Sequence, residues 1–363
     1  MTTRPQLAAT VLATAALALG SLTGAGAAPA DRDAAVPHYD HILVIVEENK
    51  GYTTIMDGGN APTVVKLAKT YGSATQMYAE RHPSEPNYVA MVGGDTFGIF
   101  DDDSWYCVPN STRPNCKGSD LPNFVPHLID APSLATQLHD KGLGWRSYEE
   151  DIPAPGSLEV FSPETDTAPP ALYAAKHNGF VNFASVHADP NRADELVGFD
   201  RLRSDLAAGS VPAFALVVPN QCNDMHGMKN PKAPPGCNTE EGLIRRGDDQ
   251  LVPLVAAIQR SPIWTSPTQN TAIVITWDEN GGEDRFGGTQ SCCVDDPKHN
   301  PGGGRIPTIV MTNHGPRGLS DPTPYDHYSL LRTVEDALGL DGHLRHAGDP
   351  GVVPMTPLFA TAH

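Results

Sequence analysis

Basic residues are scarce in this sequence: 25 lysines and arginines stand against 43 aspartates and glutamates, a formal net charge of −18 at pH 7. Nucleic-acid binding through a basic surface needs the opposite balance, so that class of partner is excluded. Long apolar runs are equally scarce. One alanine-rich stretch, from Leu7 to Leu22, follows Arg4 and gives way to small residues, the pattern of an export signal cut after Ala27 or Ala30. It is short for a bilayer, is interrupted by Thr and Gly, and leads into a Pro/Asp-rich segment. No later segment is apolar for long enough, so no transmembrane segment is expected. Loss of Arg4 with the leader moves the formal charge from −18 to −19. No cysteine near the cut could accept a lipid, and no internal repeat is present.

CxxC pairs are also absent, which argues against a cysteine zinc site. The six cysteines read instead as local staples of an exported chain: Cys107 with Cys116, and Cys222 with Cys237. Adjacent Cys292 and Cys293 form a vicinal disulfide or pair elsewhere.

The apolar runs that are present are short, β-branched and continuous. "HILVIV" (41–46), "VPAFALVVP" (211–219), "TAIVITW" (271–277) and "RIPTIVMT" (from Arg305) read as strands buried on both faces. Between them, "PSLATQLHDKG" (132–142), "DDQLVPLVAAIQRS" (248–261) and "SLLRTVEDALGL" (329–340) carry helical spacing, with Pro253 expected in a first turn or at a kink. "LGWRSYEED" adds another strand. The alternation predicts an α/β fold: a three-layer α/β/α sandwich with a mainly parallel central sheet. Residues 31–363 are expected to form one catalytic domain, with loop insertions near 96–131 and 285–304.

In such sheets the ligand crevice lies beyond the carboxyl ends of the strands. Glu48 and Asn49 follow the first run and Asp278 and Glu279 follow the third, an oxygen-rich ligand set for a divalent cation. One such pair alone is more often a solvated turn; two after central strands point to a shared metal. Ser84, in "RHPSEPNYVAMVGG", can cap the helix through Pro86 to Gly93. From the same place it can face a phosphate at the helix N-terminus and act as a nucleophile. "NQCNDMHG" places Asp224 and His226 two apart in a loop, and "YDHYSLL" places His327 before the last helix. In "RGDDQL" spacing favours Asp248 over Asp249 as the inward residue.

Seven motifs in order, "VIVEENKGY", "HPSEPNYVAMVGGDTFG", "VVPNQCNDMHG", "RGDDQL", "IVITWDENGG", "RIPTIVM" and "DHYSLLRTVEDALGL", resemble the bacterial phosphoesterase family of non-specific phospholipases C and secreted acid phosphatases. Within it the sequence looks most similar to the secreted acid phosphatases described as phosphatidylinositol-3-phosphatases. The resemblance implies an alkaline phosphatase-like fold. It implies Glu48, Asn49, Asp278 and Glu279 as metal ligands, Ser84 as nucleophile, and His82, His226 with Asp224, and His327 as active-site residues. The family has Trp where this chain has Gln250.

The expected activity is phosphate monoester hydrolysis through a phosphoserine, aided by Ca²⁺, Mg²⁺, Mn²⁺ or Zn²⁺, by a secreted monomer. Substrates include soluble monoesters and phosphoinositide lipid. Alternatives are a phospholipase C-type phosphodiesterase and an inactive secreted metal-binding protein. A sulfatase is disfavoured because its SxPxR context would put arginine where Tyr88 stands.

Overall fold

The continuous apolar runs become the middle of one sheet. In the computed structural model, which describes residues 1–2, 35–163, 171–228, 233–281 and 289–361, eight strands make that sheet. They are β1 (His41–Glu47), β2 (Gly72–Ala79), β3 (Trp145–Glu149), β4 (Leu196–Val197), β5 (Phe214–Val218), β6 (Thr271–Trp277), β7 (Gly304–Thr312) and β8 (Leu319–Asp326). The expected leader and the first part of the 285–304 insertion lie outside the described residues.

The spatial order is β8-β2-β7-β6-β1-β5-β3-β4. Val44 of β1 pairs with Leu216 on one side and Val274 on the other, both in parallel register. β5 and β6 are buried along their whole length, as strands covered on both faces must be. Only β7 runs against its neighbours, pairing antiparallel with β2 and β6. β2 and β8 were not legible as apolar runs. β8, "LSDPTPYD", is an edge strand with alternating exposure, and its two prolines sit where no ladder partner is lost.

Six longer helices flank the sheet: α1 (Pro62–Thr70), α2 (Glu85–Gly93), α3 (Leu134–Lys141), α4 (Phe199–Ala208), α5 (Glu240–Arg260) and α6 (His327–Ala337). α1 and α4 pack on α5, while α3 and α6 pack on α2, giving the two outer layers. The expected helix at 248–261 starts earlier, at Glu240, where Thr239 caps it by accepting from the Gly242 amide. Pro253 therefore lies inside the helix rather than in its first turn. Asp248 does point inward, but its carboxylate accepts the Thr63 and Val64 amides at the head of α1, which is a capping role. The three disulfides join Cys107 to Cys116, Cys222 to Cys237, and Cys292 to Cys293. No helix among the described residues is long and apolar enough to cross a membrane.

Because β7 alone is reversed, the carboxyl ends of the other strands share one edge of the sheet. A polar residue is buried at nearly every one of them, including Glu48, Glu80, Glu149, Asn220, Asp278 and Asp326. Glu149 shows what this burial does. Desolvation raises its carboxyl to about 8, against a hydrogen bond from Ser147 that favours the charge. The folded chain thus keeps a proton that the unfolded chain releases above its ordinary value of 4.5, so stability falls as pH climbs from there toward 8. Glu149→Gln is expected to add roughly 1–3 kcal/mol at pH 8 and little near pH 4.5, read from urea unfolding at both values.

Candidate active site

Ser84 sits at the head of α2, immediately after the turn that follows β2. It occupies the N-cap position, yet its side chain makes no capping hydrogen bond. Instead the amide of Glu85 donates to Asp102 Oδ1 at 3.1 Å, so a loop residue satisfies the helix and the serine hydroxyl is released. Ser84 Oγ lies 3.1 Å from Glu48 Oε2 and 3.4 Å from Glu279 Oε1. The hydroxyl is buried with both carboxylates.

The two strand-end pairs are tied to each other. The Asn49 amide donates to Asp278 Oδ1 at 2.8 Å, and Asn49 Nδ2 donates to Glu48 Oε2 at 2.6 Å. Asn49 reaches this geometry through a left-handed backbone, φ 57°, a conformation asparagine tolerates better than most residues. His82 Nδ1 is paired with Glu279 Oε2. Asp224 and His226 flank Met225, also left-handed at φ 76°, and Asp224 Oδ1 accepts the His226 amide at 2.8 Å. His226 Nδ1 donates to the Gly227 carbonyl at 2.7 Å, which leaves Nε2 as its lone-pair nitrogen.

His177 bridges these groups. Its Nε2 is 3.2 Å from Glu48 Oε1 and its Nδ1 is 3.2 Å from Asp224 Oδ2. Its ring stacks on Tyr88, one helical turn beyond Ser84 on α2, with centroids 5.5 Å apart. Beside it Lys176 Nζ holds Asp102 Oδ2 at 2.9 Å. Neither Lys176 nor His177 was found in the sequence, because "AAKHNGF" follows no long apolar run. The usable signal was a cation beside a histidine in an otherwise apolar stretch. A small pocket opens next to Lys176, lined also by Asp102, Trp105, Phe161 and Val181.

His327 is placed apart from this group. It is fully buried, its Nε2 donates to the Trp277 carbonyl at 3.0 Å, and its amide donates to Glu80 Oε1 at 2.9 Å. Burial lowers its imidazole to about 4, so it stays neutral. Among the described residues it makes no ion pair or hydrogen bond with Ser84, Glu48, Asn49, Asp278 or Glu279. It ties the start of α6 to the end of β6 and to Glu80, the residue just past β2.

The electrostatics follow from crowding. Desolvation, then the nearby Asp278 and Asp224, pushes Glu48 well above the usual carboxylate range. Desolvation raises Asp278 to about 7 and also lifts Asp224. Burial and the neighbouring Lys176 lower His226 to about 3. Burial would discharge Lys176, but Asp102 and Glu48 outweigh it and hold the ammonium charged. Glu48 Oε1, Asp224 Oδ2 and His177 Nε2 are buried and, despite the 3.2 Å approaches to and from His177, make no aligned hydrogen bond; Asp278 Oδ2 is likewise buried without one. Buried oxygens of this kind ordinarily have a donor or a cation. Ligand atoms of Glu48, His177 and His226 lie within 4.8 Å of one another, so one ion would satisfy them. The donor set therefore fits a divalent metal, with carboxylates supplying charge and neutral imidazoles supplying lone pairs.

Comparison with known proteins agrees in kind. The model of the phosphoesterase family matches residues 54–341. The phosphatidylinositol-3-phosphatase of Mycobacterium tuberculosis is 29% identical over 308 residues, covering 84% of this chain and 79% of its own. An acid phosphatase of Aspergillus fumigatus is 29% identical over 273 residues, covering 73% of this chain but 48% of its own. The chain thus spans about half the length of that fungal relative. In fold it is similar to an alkaline phosphatase superfamily protein of Vibrio parahaemolyticus, with a TM-score of 0.52, 14% identity, and coverage of 86% of this chain and 71% of that one.

The loop between α2 and α3, expected as a mere insertion, thus supplies Asp102. It is anchored at His127, whose Nδ1 is 3.0 Å from Glu85 and whose Nε2 is 3.0 Å from Asp101. Burial would lower this imidazole, but the two carboxylates prevail and raise it to about 10. A raised histidine stabilises the fold fully below its unfolded value of 6.5 and ceases to do so as pH passes 10. His127→Gln is expected to lower stability by roughly 2–4 kcal/mol at pH 6. It should also flatten the decline of wild-type stability between pH 7 and 10, measured by thermal melting across that range.

Proposed function

The chain belongs to the phosphoesterase family, and from that premise we propose that it is an exported, metal-dependent phosphoric monoester hydrolase working through a phosphoserine. The observation that carries the reading is the position of Ser84 Oγ, unspent on its helix and 3.1 Å from Glu48 and 3.4 Å from Glu279.

In this reading Glu48, Asn49, Asp278 and Glu279, with His177 or His226 alongside, hold a divalent cation against Ser84. When bound, the cation supplies Lewis-acid character that lowers the hydroxyl's pKa and offsets phosphoryl charge. Ser84 gives up its hydroxyl proton to solvent, Oγ bonds to phosphorus as the ester P–O bond breaks, and the leaving alkoxide takes a proton from water and departs as the alcohol. The Lys176 ammonium is placed to meet the oxygens that gather charge, which is where stabilisation acts most strongly. His226, neutral and with Nδ1 committed to a carbonyl, offers Nε2 as an acceptor. That suits holding the metal or orienting the water that frees phosphate from Ser84. His82, paired to Glu279, is a phosphate donor or fixes that carboxylate, and His327 is a positioning residue rather than the acid. The pocket beside Lys176 receives the leaving group. The chain's acidity repels anionic membranes, so soluble monoesters are proposed as substrates ahead of phosphoinositides.

Ser84→Ala is expected to lower kcat on p-nitrophenyl phosphate by at least about 10³-fold while circular dichroism and metal uptake stay as in wild type. Near-wild-type turnover would remove the serine from the mechanism. A wild type that cleaves p-nitrophenyl phosphorylcholine faster than the monoester would favour the phosphodiesterase reading.

The carboxylate cluster makes a separate prediction that does not depend on catalysis. Chelation should lower the wild-type melting temperature by several degrees, since like charges in a buried site then face each other. Asp278→Asn should melt higher than wild type in chelator, because it removes one of those charges, and should gain less from Mg²⁺, Mn²⁺, Ca²⁺ or Zn²⁺. Equal metal-induced shifts in both proteins would place the cation elsewhere.

A further inference from the structure

A second group of potential ligands lies at the other end of α2 from Ser84, roughly 14 Å along a nine-residue helix. There Asp95, His299 and His346 bring ligand atoms within 4.8 Å of one another. They come from three places in the chain: the exit of α2, the loop before β7, and the short 3-10 helix Arg345–Gly348. Each imidazole is oriented by its own carboxylate. His299 Nδ1 is 2.7 Å from Asp296 Oδ2, and His346 Nδ1 is 2.7 Å from Asp349 Oδ2.

That arrangement fixes the chemistry of the other two nitrogens. A histidine that donates Nδ1–H to a carboxylate presents a lone pair at Nε2, and the carboxylate makes that lone pair a better donor. His299 Nε2 is 3.9 Å from Asp95 Oδ1, and the two rings are 4.8 Å apart at 52°. Ligand nitrogens of the two histidines and a carboxylate oxygen of Asp95 therefore share one space. Arg345 takes one oxygen of Asp95, at 3.5 Å, and Oδ1, which accepts the Phe97 amide at 2.9 Å, has a second lone pair for an ion shared with the imidazoles. His346 and His299 are partly exposed, at 18% and 33%, so an ion has access from solvent.

We propose that Asp95, His299 and His346 form a second cation site, suited to Zn²⁺ or a similar borderline metal, with water completing the coordination. Three protein ligands of types N, N and O with carboxylate-backed histidines match zinc better than calcium or magnesium, which prefer all-oxygen sites. The site is separate from the carboxylate cluster at Ser84 and shares no ligand with it.

Its effect would be to fasten the loop. After His299 the chain returns to the active edge, where the Gly302 amide donates to the Glu80 carbonyl, Gly303 to Ala79, and the Asn280 amide to Gly303. Asn280 directly follows Glu279. An ion bound at His299 joins this loop to the end of the helix that carries Ser84. It secures two sides of the active centre without touching the substrate.

The test is zinc binding by equilibrium dialysis of the full chain at pH 7.5, with metal counted by atomic absorption. The His299→Ala/His346→Ala double variant is expected to hold about one equivalent less than wild type. It should lose part of the zinc-dependent rise in melting temperature, keeping the part that comes from the carboxylate cluster at Ser84, while hydrolysing monoesters within about twofold of wild type under the catalytic metal. Asp278→Asn should retain this equivalent, which separates failure here from failure of the catalytic reading. Equal zinc content and affinity in wild type and double variant would overturn the proposal. Should the double variant not fold, wild-type protein treated with diethyl pyrocarbonate decides: zinc must shield His299 and His346 from carbethoxylation, mapped by peptide mass spectrometry, and unprotected labelling of both refutes the site.

Discussion

Five carboxylates, Glu47, Glu48, Asp224, Asp278 and Glu279, are buried where β1, β5 and β6 end, and among the described residues two lysines, Lys50 and Lys176, stand with them. Removing that many like charges from water is unfavourable by several kcal/mol per ion unless positive charge is brought in with them. The shortfall is the constraint from which the rest of the site follows. Lys50 is committed to backbone, donating to the Asn49 and Met225 carbonyls at 3.1 and 3.0 Å. Lys176 is shared with Asp102. What remains is a pocket of negative potential whose unsatisfied oxygens point at a serine hydroxyl, an arrangement that is unfavourable by itself and favourable around a cation.

Holding such a pocket needs a rigid frame, and the parallel sheet provides one. Glu47, Glu48, Asp278 and Glu279 are each anchored within a residue or two of a buried strand, so their positions are set by ladder hydrogen bonds. Asp224 is held in the loop after β5 by its turn, its amide donating to the Asn220 carbonyl and its carboxylate accepting the His226 amide. α2 is fixed just as firmly, with every residue from Glu85 to Gly93 buried. Asp102 reaches across from the following loop to accept the Glu85 amide, and this substitution of one cap for another frees the Ser84 hydroxyl. A serine that capped its own helix would direct its oxygen at the N3 amide, away from Glu48. The loop that looked like an insertion is thus part of the nucleophile's environment, and its anchor at His127 bears on the geometry of Ser84 through Glu85.

What was legible in the sequence were the features with a strong local signal. β1, β5, β6 and β7 are continuous apolar runs and were read within a few residues. The pairs Glu48–Asn49 and Asp278–Glu279 stand directly after two of them. Features that depend on long-range contacts were not legible. β2 and β8 carry polar and proline residues because one is partly exposed and the other is an edge. α5 begins before its apolar periodicity does, because its first turns are set by the Thr239 cap. Lys176 and His177 enter on a short 3-10 turn between elements, and nothing local marks them. His327 follows a strand and precedes a helix just as Ser84 does, so sequence treats the two alike. Only the fold shows that one hydrogen-bonds to Glu48 and Glu279 while the other bonds to Glu80 and the Trp277 carbonyl.

The contrast between those two residues also bears on how protons move in the site. The His327 imidazole is fully buried with Nε2 donating to the Trp277 carbonyl at the end of β6, so that proton is committed to the fold. His226 is held in the opposite tautomer, with Nδ1–H on a carbonyl and Nε2 unprotonated, and a neutral acceptor of that kind does not supply a proton. Among the described residues Lys176, kept charged by Asp102 and Glu48, is the cation that lines the small pocket. If chemistry at Ser84 expels an alkoxide, the field of that ammonium meets the developing charge first. The same Asp102 that caps α2 also holds the Lys176 ammonium, so under the proposed mechanism changes in the loop between α2 and α3 should alter the placement of Ser84 and leaving-group stabilisation together.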